Sequence, residues 1–318
     1  MRKLPRLLLG LASLLCAGGG GLLQLLSLGG VVSARLDLLS HFTPLWTALA
    51  LLGALGGLAS SGWFRQVAIA AGLAGVLVGA LVMTPEFVAA AGQRLSAPKP
   101  GPADLRIVQS NLWADNIDPP LSAAVILAAH PDVVVLEETT ERGAEVVDLL
   151  RPHFAYGAAS SLATILSRRP GVGDVQKNEG IPVTRFRTTD ASGRPVTILG
   201  LHYSWPEPMY DQARQRRALE NIVRSNASGT LIVAGDFNLT PWSHRLRAQD
   251  RRLGLQRRTR AVFSWPSPAR AGPPRLPFPI LPLDQVYAGS GWKTVEVRRL
   301  PRTGSDHYPL LVVLAPKG

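Results

Sequence analysis

The pattern of apolar and polar positions changes character near residue 100. Before it, apolar residues run almost unbroken through three stretches, 7–32, 42–60 and 67–83. Each is close to the roughly 20 residues that a helix needs to cross a bilayer core. Asp37 and Glu86 are the only acidic residues among the first 100. Residues 1–91 are therefore expected to form a membrane region of about three transmembrane helices. A cleaved signal peptide would also open on basic residues such as Arg2, Lys3 and Arg6, but its apolar core is shorter. The glycine run at 18–21 lowers the helix propensity of the first stretch. Single arginines, Arg35 and Arg65, follow in the two connections, so the N-terminus is the more basic flank and is expected on the cytoplasmic side. Three crossings then make a multi-pass cell-membrane protein with the rest of the chain on the outer face.

Residues 92–103 contain three prolines and read as a linker. Beyond it, over 104–318, short β-type runs alternate with polar or amphipathic ones. Strands are expected at 105–110, 133–136, 164–167, 183–187, 196–201, 231–234, 283–287, 294–298 and 310–314, and helices at 121–129, 210–225 and 243–253. Several strands are continuously apolar, which implies burial on both faces. So many strands and so few helices do not suit a doubly wound nucleotide fold. They suit an α/β (α+β) architecture of two sheets packed face to face with helices outside. The proline-rich segment 266–282 is expected to be an irregular loop.

Polar groups recur at the ends of these apolar runs. Asn111 follows Ile107-Val108-Gln109-Ser110, Glu138 follows Val133-Val134-Val135-Leu136-Glu137, and His202 follows Ile198-Leu199-Gly200-Leu201. Asp236 and Asn238 lie in Gly235-Asp236-Phe237-Asn238, Asp284 lies within Leu283-Asp284-Gln285-Val286, and Asp306 and His307 precede Leu310-Leu311-Val312-Val313-Leu314. Strand ends at one edge of a sandwich are where a rigid scaffold gathers such groups into one cleft. Alone, Gly-Asp-x-Asn is usually a turn with side-chain-to-backbone hydrogen bonds. Alone, Ser-Asp-His is no catalytic triad, because adjacent residues cannot line up head to tail. Together, a carboxylate beside a histidine and further polar groups at strand ends can hold a divalent cation and move a proton on one phosphate.

This ordered set resembles the endonuclease/exonuclease/phosphatase superfamily, which includes pancreatic-type deoxyribonucleases, abasic-site endonucleases, neutral sphingomyelinases and inositol-phosphate phosphatases. The matching pieces are Gln109-Ser110-Asn111-Leu112, Pro131-Asp132-Val133-Val134-Val135-Leu136-Glu137-Glu138, His202, Gly235-Asp236-Phe237-Asn238 and Ser305-Asp306-His307-Tyr308-Pro309. In detail the chain is most similar to bacterial members that also carry N-terminal spans. The resemblance implies a four-layered α/β/β/α sandwich of two packed mixed sheets. It implies Mg²⁺ or Mn²⁺ at Glu138 with Asn111 and Asp306 close by, and catalytic roles for His202, Asp236, Asn238, Asp284 and His307. Asp236 would position or deprotonate the attacking water, and Asn238 would orient it and hold a phosphate oxygen. Asp284 would fix the tautomer of His307, which stabilises charge at phosphorus, and His202 would donate to a phosphate oxygen. Two departures stand out: Glu137 replaces a common Gln, either tightening metal binding or pointing to the other face, and Gln285 replaces a common His.

Charge adds a partner class. The net charge is +12, of which the part from residue 101 onward carries +7, from 27 lysines and arginines against 20 acidic residues. A basic domain favours a polyanion, nucleic acid before a lipid head group. Seven arginines between 245 and 260 could steer one toward the cleft, or form a solvated helix face. Trp205, Trp242 and Trp265 flank motif segments, as stacking platforms or as rim packing. The single cysteine, Cys16, excludes internal disulfides. The expected activity is a membrane-anchored, metal-dependent phosphodiesterase or endonuclease, with a lipid or inositol phosphoesterase as the alternative and a non-catalytic anion-binding module as the third. Substrate choice is expected to reside in the loops 113–120, 203–210 and 266–282.

Overall fold

A computed structural model describes residues 3–207, 209–226, 228–269 and 276–317; Arg2 and the loop positions 208 and 270–275 lie outside the described residues. The chain forms two compact units, residues 1–88 with 240–248, and residues 89–239 with 249–318.

The first unit is helical: α1 (Lys3–Leu28), a single 3-10 turn, α2 (Ala34–Ser40), α3 (Thr43–Leu58) and most of α4 (Gly62–Leu95). Among the described residues two helices, Pro5–Val31 and Gly62–Leu95, are long and apolar enough to cross a membrane. The second expected stretch is realised as α3, only 16 residues long, preceded by α2 at a bend of 62°. It makes a third span only if that broken pair is counted as one. At the break Ser40 Oγ donates to the Asp37 carbonyl within α2, and His41 Nδ1 accepts from the Thr240 amide far along the chain. The glycine run does not interrupt α1. A Cβ at Gly20 would collide with the backbone of Trp46 and Ala50 in α3, so small residues let the two helices approach. Asp37 is fully buried and accepts from Ser243 Oγ at 2.9 Å and from the His244 and Arg245 amides at 2.8 and 3.2 Å. It caps the first N–H groups of the helix beginning at His244, sharing the Arg245 amide with Ser243 Oγ. Helix α4 runs on to Leu95, into the segment expected as linker.

The second unit holds two six-stranded mixed sheets. The strands are β1 (Leu105–Asn111), β2 (Val133–Glu137), β3 (Tyr156–Ala159), β4 (Thr164–Ser167), β5 (Gly171–Asn178), β6 (Ile181–Thr189), β7 (Pro195–His202), β8 (Ile232–Asp236), β9 (Gln256–Arg257), β10 (Asp284–Ala288), β11 (Trp292–Arg299) and β12 (Leu310–Pro316). The order is β11-β12-β1-β2-β4-β3 in one sheet and β5-β6-β7-β8-β10-β9 in the other. The helices that follow β1 along the chain are α5 (Pro119–Ala128), α6 (Glu141–Leu150), α7 (Met209–Ser225) and α8 (His244–Leu253). Ile107, Val133, Val135 and Ile165 of the first sheet pack with Phe186, Ile198, Ile232, Ala234 and Val286 of the second in one core. The opposite face of the first sheet (Val108, Val134, Leu136, Leu311) packs on Ile126 of α5 and Val146 and Leu150 of α6. Helix α7 covers β5 and β6. Four layers result, as expected. Alternate residues of β1 and β2 serve opposite cores, which is why those strands read as unbroken apolar runs.

The expected strands all form, but β3, β5, β9 and α6 add to them without a clear signal along the chain. β3 and β5 lie at sheet edges, with exposed or half-buried small and polar residues, so no apolar run marks them. β9 has only two residues. Helix α6 buries Val146, Val147 and Leu150 and exposes a charged face, a short amphipathic pattern.

Each sheet contains one parallel pair, β1 with β2 and β7 with β8. These pairs bring Asn111 opposite Glu137 and His202 opposite Asp236, while antiparallel β10 sets Asp284 opposite Asp236. Gly235 allows that register, since a Cβ there would run into the Leu201 carbonyl of β7. Gly235→Ala is expected to destabilise the protein by about 1–3 kcal/mol, the usual cost of overpacking. Denaturant unfolding of the full chain checks this, and an unchanged midpoint would show that the β7–β8 contact can yield.

Candidate active site

Glu138 is the first residue after β2 and Asn238 the second after β8, and both have left-handed backbones, with φ of 51° and 47°. Non-glycine residues adopt this region at a cost and mostly where the surroundings impose it. At Asn238 the restraints are visible. Its amide donates to Asp236 Oδ1 at 2.8 Å, its Nδ2 donates to the Tyr203 carbonyl at 2.8 Å, and Phe237 between them is fully buried against Tyr203 and Tyr287. The four residues of Gly-Asp-Phe-Asn thus act differently. The glycine permits close strand approach, the aspartate supplies a carboxylate to the cleft, the phenylalanine anchors the turn in the core, and the asparagine returns its amide over the strand end.

The Ser-Asp-His segment is fastened in the same manner. Ser305 Oγ donates to the Asn111 carbonyl at 2.7 Å and accepts from the His307 amide at 3.0 Å. His307 Nδ1 lies 2.8 Å from Asp284 Oδ2. With that carboxylate as acceptor, Nδ1 carries the proton and Nε2 faces the cleft, 3.7 Å from Asp236 Oδ2. His202 Nε2 is 3.6 Å from the same Asp236 oxygen, 3.9 Å from Glu138 Oε1 and 3.3 Å from Asn238 Nδ2. Asn111 Nδ2 donates to both Glu138 Oε1 at 2.9 Å and Asp236 Oδ2 at 3.1 Å. Asp306 accepts from the Trp265 indole at 3.1 Å, and its charge is felt at His307.

Two residues without an assigned role from sequence belong to this cluster. Gln109 Nε2 donates to Glu137 Oε2 at 2.8 Å and to Asp284 Oδ1 at 2.7 Å, bridging two buried carboxyl groups. Glu137 is fully buried beneath the cleft, its Oε2 held by Gln109. The signal for both was a polar side chain inside an otherwise apolar strand, Gln109 sharing a strand face with Asn111. Gln285 is structural, accepting from Thr259 Oγ1 and donating to the Pro282 carbonyl.

Burial dominates the electrostatics. It raises the pKa of Glu137 well above the carboxylate range, with the Asp284 charge adding to the rise. Asp236 is raised for the same two reasons. Burial also acts on Asp284, but the adjacent His307 prevails and holds it low. At His307 burial opposes the charge, yet Asp284 and Asp236 outweigh it and keep the imidazolium well above the ordinary histidine value.

Asp236, Asp284 and His307 present ligand atoms within 4.8 Å of one another and could hold a metal. However, Asp284 Oδ1 is taken by Gln109 and Oδ2 by His307. Glu138 also accepts at both oxygens, from Asn111 Nδ2 and the Ala114 amide, but its side chain is 29% exposed to the cleft. A carboxylate facing solvent suits a hard divalent cation that keeps several waters, while Asn111 turns its Nδ2 toward Glu138 and its Oδ1 accepts from the Trp113 amide.

The chain matches the model of the Endonuclease/Exonuclease/phosphatase family over residues 108–307. It belongs to that family, whose members are enzymes that hydrolyse phosphoesters. Among solved structures it is similar to an endonuclease/exonuclease/phosphatase from Beutenbergia cavernae DSM 12333, with 22% identity, 68% of this chain and 72% of that chain covered, and a TM-score of 0.53. A Bacteroides thetaiotaomicron family member has 13% identity, 69% and 100% coverage and a TM-score of 0.53. D. rerio TDP2, solved with a single-strand DNA product, has 16% identity, 67% and 99% coverage and a TM-score of 0.52. No curated protein matches the chain in sequence.

Removing the Asp284 charge should lower the His307 pKa, because that carboxylate favours the imidazolium. In Asp284→Asn the ¹⁵N NMR titration of the His307 imidazole is expected to move down toward the unperturbed value of about 6.5. An unmoved titration would mean that the 2.8 Å pair does not set the histidine's charge.

Proposed function

We propose that this protein is a membrane-anchored, divalent-metal-dependent phosphodiesterase that hydrolyses P–O bonds by direct attack of water, with nucleic acid as its leading substrate class. The observation that carries the reading is the convergence of Asn111, Glu138, His202, Asp236, Asn238, Asp284 and His307 on one cleft edge at spacings of 2.8–3.9 Å. Mg²⁺ or Mn²⁺ held by Glu138, with Asn111 and Asp306 alongside, would supply charge neutralisation at a phosphate oxygen. In this reading Asp236 orients water and accepts its proton as the new O–P bond forms. Its raised pKa suits a proton acceptor working near neutral pH. The His307 imidazolium, held by Asp284, stabilises the charge that develops on the phosphoryl oxygens. His202 and Asn238 orient the phosphate, and His202 hands a proton to the leaving oxygen as its bond to phosphorus breaks. The water adds directly, so no covalent enzyme intermediate forms.

The +7 charge of the part beyond residue 100 supports a polyanionic substrate. The arginine run supports it less than its count suggests, since Arg257 and Arg258 are buried and Arg257 pairs with Asp250 at 3.2 Å. The two long apolar helices favour a second reading, a lipid phosphoester presented at the bilayer surface. Full-length protein should nick supercoiled plasmid with Mg²⁺ and lose this with EDTA. In Asp236→Ala the rate is expected to fall by about 10²–10⁴-fold, the usual worth of a positioned proton acceptor. Metal-independent nicking, or an unaffected variant, would sink the mechanism; intact hydrolysis of a lipid phosphodiester without nicking would select the second reading.

For the anchor we read α1, the bent α2–α3 pair taken as one span, and α4 as three crossings. Asp37 of α2 bonds to Ser243 and to the His244 and Arg245 amides, which supports the α2 end of that pair lying at the bilayer surface. An odd number of crossings with a cytoplasmic N-terminus puts residues 96–318 on the outer face. Alkaline phosphatase fused after Gly318 should then be active in a bacterial host; an inactive fusion with an active cytoplasmic reporter would overturn the topology.

A further inference from the structure

Beyond the catalytic cleft, the second unit contains a cavity of about 500 Å³ whose walls carry five cationic side chains. Gln93 of α4, Arg257, Arg258, Arg260, Lys293 and Lys317 line it. Asp250 answers part of this charge, pairing with Arg257 at 3.2 Å and Arg260 at 3.8 Å. Arg258 is in a different situation. It is 4% exposed, and among the described residues its guanidinium donates to neutral acceptors: Thr294 Oγ1 at 3.1 Å and the Ala288, Gly289 and Trp292 carbonyls at 3.2, 2.9 and 3.3 Å. Among the described residues its Nε has no partner and no carboxylate pairs with it. A buried charge answered only by neutral dipoles is costly. An anion entering the cavity would provide the missing countercharge.

The position of the cavity along α4 says where that anion comes from. Gln93 Nε2 donates to the Arg258 carbonyl at 2.7 Å, fastening the last turns of α4 to the cavity wall. Helix α4 has 34 residues. At ~1.5 Å per residue it is about 50 Å long, well beyond a hydrocarbon core of ~30 Å. Its apolar window lies in the earlier turns, and Glu86, Gln93 and Arg94 follow it. The turns that line the cavity therefore leave the bilayer at the level of lipid phosphates. Basic pockets at that level recognise anionic head groups.

We infer that this cavity is a binding site for the phosphate of an anionic phospholipid, separate from the catalytic cleft. The inference rests on the reading of α4 as a membrane span and is independent of the hydrolytic mechanism. Arg258 supplies the buried charge, and Lys293 and Lys317 supply the accessible ones.

The test uses full-length protein in phosphatidylcholine nanodiscs titrated with phosphatidylglycerol, with retained lipid counted by native mass spectrometry. Arg258→Met removes the buried charge but can unfold the loop, so the double variant Lys293→Ala/Lys317→Ala carries the measurement. Wild-type protein is expected to retain phosphatidylglycerol, and the double variant to bind it about 30-fold more weakly, the worth of two juxtamembrane cations. Equal retention by both proteins, or equal retention of phosphatidylcholine, overturns the site. Full competition by inorganic phosphate at matched concentration overturns the lipid assignment in favour of a soluble anion. The double variant should hydrolyse a soluble phosphodiester as the wild type does. Failure of the chain to insert in nanodiscs would overturn both the anchor and this site, whereas insertion without retained lipid would overturn this site alone.

Discussion

Three carboxyl groups, Glu137, Asp236 and Asp284, are buried in one low-dielectric space between the sheets, and the arrangement of the cleft answers that crowding. Three buried negative charges would repel one another strongly. The conflict is resolved by dividing the protons and donors unequally. Glu137 is driven toward its neutral form and Asp236 is raised, while Asp284 keeps its charge beside the His307 imidazolium. Gln109 donates from its amide to both Glu137 and Asp284, and Asn111 does the same for Glu138 and Asp236. Two carboxamides thus hold together four acidic side chains that would otherwise push apart. Such a division, with neighbouring titratable groups pushed in opposite directions, is what acid–base chemistry near neutral pH requires.

The same demands explain the local strain. Glu138 and Asn238 are held in left-handed backbone conformations just after two strands that belong to parallel pairs. Each costs of order 1–3 kcal/mol, sustained by the surrounding core. The stable parts, two apolar cores on either face of the first sheet, position the strained residues without themselves entering the cleft. Stability and chemistry are therefore carried by different parts of the same strands.

Some arginines of this chain serve construction rather than display. Arg257 and Arg258 are buried, Arg185 is paired with Asp174 at 2.6 Å, and Arg194 with Asp190 at 2.7 Å. A high count of basic residues therefore says less about a polyanion partner than their exposure does. The accessible lysines of the cavity gather instead around the end of α4. If that helix spans the bilayer, phosphate is abundant at that level too.

Much of this was legible along the chain. The apolar runs of β1, β2, β7, β8, β10 and β12 were readable because both of their faces are buried, and the polar residue closing each run marked the cleft. Asn111, Glu138, His202, Asp236, Asn238, Asp284 and His307 were nameable from that pattern and from the family resemblance that their order carries. Edge strands β3 and β5 escaped because an edge needs little apolar surface, and α6 because its amphipathic pattern is short. The bend between α2 and α3 depends on hydrogen bonds to residues about 200 positions away, which no local pattern encodes. The bridging role of Gln109, the burial of Glu137 and the lack of a charged partner for Arg258 among the described residues are likewise products of tertiary structure. Sequence determined which chemical groups stand at the strand ends; only packing decided which of them share a proton, because distance and dielectric are set by neighbours remote in the chain.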